Sequence, residues 1–225
     1  MPQPPIQNRK DSSAAARVAG IAYLVTIAAG LFAEVYARGS IWVPNDPGRT
    51  MGNLERLNSL YRWGILSDCV MLVAYAAVTA LLYRLFKPTN ASLSLIAALM
   101  SALGLALLTV GTAMLTLPLQ TGAAASGPDA LRLHASFYKL TGIFFGAYCL
   151  LIGMLSRRSE LLPKVVRWPM IAAGVVFVVD AALWLVAPQI QKSVPHALLL
   201  VSLIGEGSFA IWLTVAGIRQ SEGGT

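Results

Sequence analysis

The sequence predicts an all-α protein, a polytopic transmembrane bundle of six helices with both termini cytoplasmic. Three observations carry that expectation. Of the 225 residues, 56% are hydrophobic and only 12% charged, and the mean hydropathy is +0.67, far above a soluble domain of this length. The apolar residues gather in runs near the roughly 20 residues that a helix needs to cross a hydrocarbon core about 30 Å thick. The 17 Lys and Arg residues fall in short segments between those runs, not on one amphipathic face, so the net charge of +7 reflects topology and gives no sign of nucleic-acid binding.

Residues 1–16, rich in Pro and Gln, read as a disordered cytoplasmic tail; residues 17–218 form the transmembrane domain, and 219–225 a short cytoplasmic tail. The first helix, Arg17–Arg38, exceeds the apolar region of a cleaved signal peptide and ends on Glu34 and Arg38 instead of small residues. Glu34 precedes Arg38 by four residues, the favourable order for a helical ion pair. The connection that follows carries NDPG, a tight turn, and then Leu54, Leu57, Leu60 and Tyr61 at helical spacing, which fits either an interfacial lid or a plain connector with Trp42 and Trp63 in the aromatic belt.

The second helix spans Arg62–Phe86 and holds Asp68. The third, Ser92–Leu117, has no charge and offers small or hydroxylated residues at Ser94, Ser101, Gly104, Thr109, Gly111 and Thr112. Pro128 and Asp129 open the fourth, which runs to Leu155 with Gly142, Gly146 and Gly153 along it; such spacing favours packing within the bundle over dimerisation. Pro169 suits the first turn of the fifth, which reaches Ala187 and carries Asp180. The sixth is His196–Gly217. Cys69 and Cys149 lie within apolar runs and read as small buried side chains. Counting Lys and Arg by alternate segments gives ten on the side of the termini and seven on the other, which places both termini in the cytoplasm.

Acids inside these helices are the strongest functional signal. At about 1.5 Å per residue, Glu206 lies about 15 Å from the outer end of its helix, and the same measure gives about 6 Å for Glu34, 9 Å for Asp68 and 12 Å for Asp180. All four fall in the outer half, with Arg38, Arg62 and Lys139 as cations at the outer mouth. Intramembrane ionisable groups mark ion or solute pathways by default, so the four acids are the ligand-binding or proton-relay candidates for a small cation or polar solute. Buried salt bridges that fix helix register are the plainer account, with Arg38 on Glu34 and with Arg62 or Lys139 on Asp68; the chain would then be a structural or accessory subunit. A metal-dependent intramembrane hydrolase using His134 and His196 is the third reading, weakened by the absence of an HExxH spacing. No cofactor is expected. The lipid bilayer is the expected partner, and a homo-oligomer or a partner membrane subunit stays open.

The segments ARVAGIAYLVTIAAGLFAEVYARG, LSDCVML, FFGAYCLLIGMLSRRSELLPKVV, AAGVVFVVDAALWLVAP and LIGEGSFAIWLTVAGI together resemble the bacterial membrane family known as domain of unknown function 4386. The likeness runs in order from Ala16 to Ile218 and is most specific around Glu34 with Arg38, Asp68, Asp180 and Glu206; it is weakest in the third helix and before His134, and Gly207 departs from it. It implies a bacterial inner-membrane protein of about six helices, with no established activity and no catalytic residues to carry over.

Overall fold

Long apolar runs without interior breakers give long helices, and a computed structural model describes residues 6–159, 163–193 and 197–216 as almost wholly helical, with no strand among them. Helix α1 (Ile6–Leu31) begins well before Arg17, because Ala14, Ala15 and Ala16 are strong helix formers and nothing between Ile6 and the membrane run stops propagation. It continues through a π-helical segment, Phe32–Arg38, and a last turn at Gly39–Ile41. The Gly39 N–H reaches back five residues to the Glu34 carbonyl, and the wider turn buries Ala33, Ala37 and Arg38 on one side.

The NDPG turn is formed with Asn45 in the left-handed region, at φ 60°. Helix α2 (Pro47–Arg56) then starts with Pro47 in its first turn, and the Asp46 carboxylate accepts the Arg49 N–H at 2.9 Å. Helix α3 (Asn58–Phe86) follows almost at once, four residues earlier than expected. Asn90 caps α4 (Ala91–Met114) by accepting the Leu93 N–H at 2.9 Å, and a short α5 (Leu117–Thr121) follows.

Helix α6 (Ala123–Ser159) and helix α7 (Lys164–Val186) correct two expectations: each starts five residues before the proline assigned to its first turn, so Pro128 and Pro169 lie inside their helices. Pro163 precedes α7 and supplies the break instead. Helix α8 (Pro188–Ser193) leads to α9 (Ala197–Ala216).

Five of the described helices are long and apolar enough to cross a membrane: Ser13–Ile41, Asn58–Phe86, Ala91–Thr121, Ala125–Arg157 and Lys164–Val186. A shorter apolar helix covers Leu200–Val215. Their outer faces carry large exposed apolar side chains such as Val18, Ile21, Val73, Leu99, Val179 and Ile211, a surface suited to lipid.

Each long helix packs on its neighbours in sequence, and α9 returns to α1, which closes the cycle α1, α3, α4, α6, α7, α9. Small residues permit the close approaches. Gly142, Gly146 and Gly153 all face α7: a Cβ at Gly146 would stand 2.8 Å from the Gly174 carbonyl oxygen, so this stripe packs within the chain. In α4, Gly104 and Gly111 receive Phe145 and Phe137 of α6, and Ser94, Ser101 and Thr112 are buried; Thr109 instead is exposed and bonds its own helix at the Leu105 carbonyl.

One apolar cluster takes side chains from all six members of the cycle, among them Tyr23, Tyr75, Ala97, Tyr148, Met170 and Phe209. A second, Ile41, Leu54, Tyr61, Leu115 and Leu131, closes the end where α2 lies against α6. Leu54 and Tyr61, read from the sequence as part of an amphipathic lead-in, are thus fully packed, and the Tyr61 hydroxyl donates to the Leu115 carbonyl at 2.7 Å.

Candidate functional site

The π-helical segment decides where the first charged group sits. It turns Arg38 away from lipid toward α3, where the small contact of Gly64 on Ala37 lets the two helices close up. The guanidinium then reaches two carboxylates. Nη1 and Nη2 donate to the Asp68 oxygens at 2.5 and 3.0 Å, and Nε donates to Glu34 Oε2 at 2.7 Å. This bidentate fork on one acid with a third bond to another uses the planarity of arginine in a way lysine could not reproduce. Asp68 is 0% exposed, while the Glu34 side chain keeps 39% of its surface accessible.

His134 of α6 completes the group. It is 1% exposed, its Nε2 lies 3.7 Å from Glu34 Oε2, and neither ring nitrogen makes a hydrogen bond. At 3.7 Å the pair is too far apart for a hydrogen bond. An apolar layer bounds the group on each side: Ile41 and Tyr61 of the α2-capped cluster on one, and Ala29, Met71 and Leu108 on the other. With a neutral imidazole, one guanidinium against two carboxylates leaves the layer one negative charge in excess.

The other two acids lie elsewhere. Asp180 of α7 accepts from Lys139 Nζ of α6 at 2.6 Å and from Gln191 Nε2 of α8 at 2.9 Å, forming a partly exposed ion pair. Glu206 of α9 accepts the Tyr23 hydroxyl of α1 at 2.6 Å, and the Cys149 Sγ stands 4.0 Å from the same oxygen. Among the described residues Glu206 forms no ion pair. Tyr23 precedes Glu34 by eleven residues, so Glu206 is set off from the Arg38 layer by about 16 Å along α1.

Several sequence expectations change here. The four acids form three separate groups, with only Glu34 and Asp68 brought together. Arg38 neutralises Asp68, whereas Lys139 serves Asp180, and Arg62 is exposed and among the described residues bonds the Asn58 side chain at 2.7 Å. His134 lies three turns into α6, which begins at Ala123, and is buried. His196 lies outside the described residues, and among those described no group of three His, Cys, Asp or Glu side chains could hold a metal ion. Cys69 is exposed on α3 and Cys149 buried, both as free thiols. Two shallow surface grooves lie on α3, lined by Ser59, Arg62, Trp63 and Leu66 and by Cys69, Val70, Val73 and Ala74; neither is lined by an intramembrane acid.

Tyr23, Gln191 and the position of His134 were not legible as partners. The Tyr23–Glu206 contact joins residues 183 positions apart, and Gln191 sits in a polar connector with no periodicity to orient it. The proximity of Glu34 and Arg38 was legible, since they share a helix.

Apolar membrane-length helices with charged groups sequestered between them define the class: a multi-pass integral membrane protein. Within that class, the chain belongs to the family described as Domain of unknown function (DUF4386), whose model matches residues 18–217. No curated relative and no solved structure matches it.

Proposed function

We propose that this is a six-span protein of the bacterial inner membrane, both termini cytoplasmic, that binds or moves a small cation or polar solute through the Glu34–Arg38–Asp68–His134 layer, open toward the outer side. The observation that supports the reading is the charge imbalance: two carboxylates surround one guanidinium, beside a buried imidazole without a hydrogen bond. Excess charge inside a membrane is costly and draws a compensating cation. Glu34, partly accessible, is the group through which a ligand enters, and Arg38 fixes both carboxylates. Asp180 and Glu206, in their separate contacts, act as supporting groups.

The test is flux in proteoliposomes, with protons, sodium and potassium as probes. Wild type is expected to carry or bind at least one of them, and Glu34→Gln and Asp68→Asn to weaken it about tenfold or more, equivalent to about 1.4 kcal/mol. Folded variants that match wild type for every probe would overturn the reading and favour the structural account, in which the ion pairs fix helix register.

A further inference from the structure

Resting on that reading, we propose that the cation taken by the layer is a single proton, held between Glu34 and His134. Four facts converge on this. His134 is a fully buried ionisable group with two nitrogens lacking hydrogen bonds, and one of them faces a carboxylate oxygen at 3.7 Å. Glu34 of the π-helical segment faces it directly, Glu34 is joined to Arg38, and Arg38 in turn to Asp68 of α3; its other neighbours are Tyr138 on its own helix, with rings 6.1 Å apart, and Gly111 of α4. With neutral imidazole the two acids and Arg38 sum to minus one, and one proton makes it zero.

A metal ion fits the same place poorly. Arg38 already donates to three of the four carboxylate oxygens, so a cation on Glu34 would sit against a fixed positive charge with few free ligands. Among the described residues there is also no three-member metal-ligand group. A proton needs neither a cavity nor a ligand shell.

Glu34 is the port in this proposal: it keeps 39% of its side-chain surface accessible where His134 and Asp68 are closed off, and it lies two turns from the end of the first span at Ile41. A hydronium ion from the aqueous side gives its proton to Glu34: one O–H bond of the hydronium breaks, its electron pair staying on the departing water, as an O–H bond forms on the carboxylate. That bond then breaks, its electron pair staying on the carboxylate, as the Nε2 lone pair of His134 takes the proton and a small ring rotation closes the gap. The product is an imidazolium facing a carboxylate, with both acids ionised; release retraces these steps.

The test is solid-state nitrogen NMR of the protein in lipid nanodiscs, labelled on histidine, with His134→Gln used to assign the signal apart from His196. In wild type at neutral pH, His134 is expected to show both ring nitrogens protonated as the major form. Glu34→Gln should make the neutral ring the major form, and Glu34→Asp, which keeps the charge, should restore the imidazolium. A neutral His134 in wild type overturns the proposal with no variant needed, and so does an imidazolium that persists in Glu34→Gln. Flux lost in Glu34→Gln with His134 neutral throughout would overturn the proton assignment and leave the binding layer standing; a Glu34-dependent imidazolium without flux of any probe would do the reverse.

Discussion

The Arg38 layer and the Glu206 contact bury the same chemical group by opposite means. Around Arg38, the carboxylates of Glu34 and Asp68 meet a cation through three hydrogen bonds, the pairing that compensates a charge taken out of water. Around Glu206, the donors are the Tyr23 hydroxyl and, at 4.0 Å, the Cys149 thiol, and Tyr23 is itself packed against the rings of Tyr75 and Phe209. An acid with no cation in such a place is cheapest as a neutral carboxyl group. Position along a helix therefore says little about an intramembrane acid. Its partner sets its role, and the partner comes from packing.

Four substitutions would break or sharpen that contrast. The largest loss is expected for Arg38→Leu, which strands two acids at once: about 3–5 kcal/mol of stability, read by denaturant titration in mixed micelles. Asp68→Asn removes one side of the bidentate fork while Glu34 stays on Arg38, for a smaller loss of about 1.5–3 kcal/mol by the same measurement. Tyr23→Phe deletes the hydroxyl donor to Glu206 and should cost about 0.5–1.5 kcal/mol. Glu206→Gln keeps an acceptor for Tyr23 with no charge to lose, and its cost should stay below about 1 kcal/mol. A Glu206→Gln loss equal to that of Asp68→Asn would erase the distinction between the regions.

Much of the architecture was legible from one chain because hydropathy and length act locally. The runs holding Asp68 and Asp180 became helices close to where expected, since the bilayer leaves the backbone few other ways to satisfy its hydrogen bonds. Helix starts were less legible: Pro128 and Pro169 are tolerated inside α6 and α7, and a proline is an ambiguous stop signal in such helices. The π-helical turn at Glu34–Arg38 leaves no period in the sequence, yet it aims Arg38 at Asp68. Which acid meets which base depends on the order of helices around the cycle. Lys139 on α6 faces Asp180 because α6 lies against α7, a relation that residue spacing does not encode.

The charge states themselves can be read most directly by infrared difference spectroscopy of the protein in lipid, following the C=O stretch that only a protonated carboxyl group shows. The account predicts such a band in wild type, retained in Asp68→Asn and lost in Glu206→Gln. A band that survives Glu206→Gln and disappears in Asp68→Asn would contradict it, placing the neutral acid beside Arg38 and the charged one among the tyrosines.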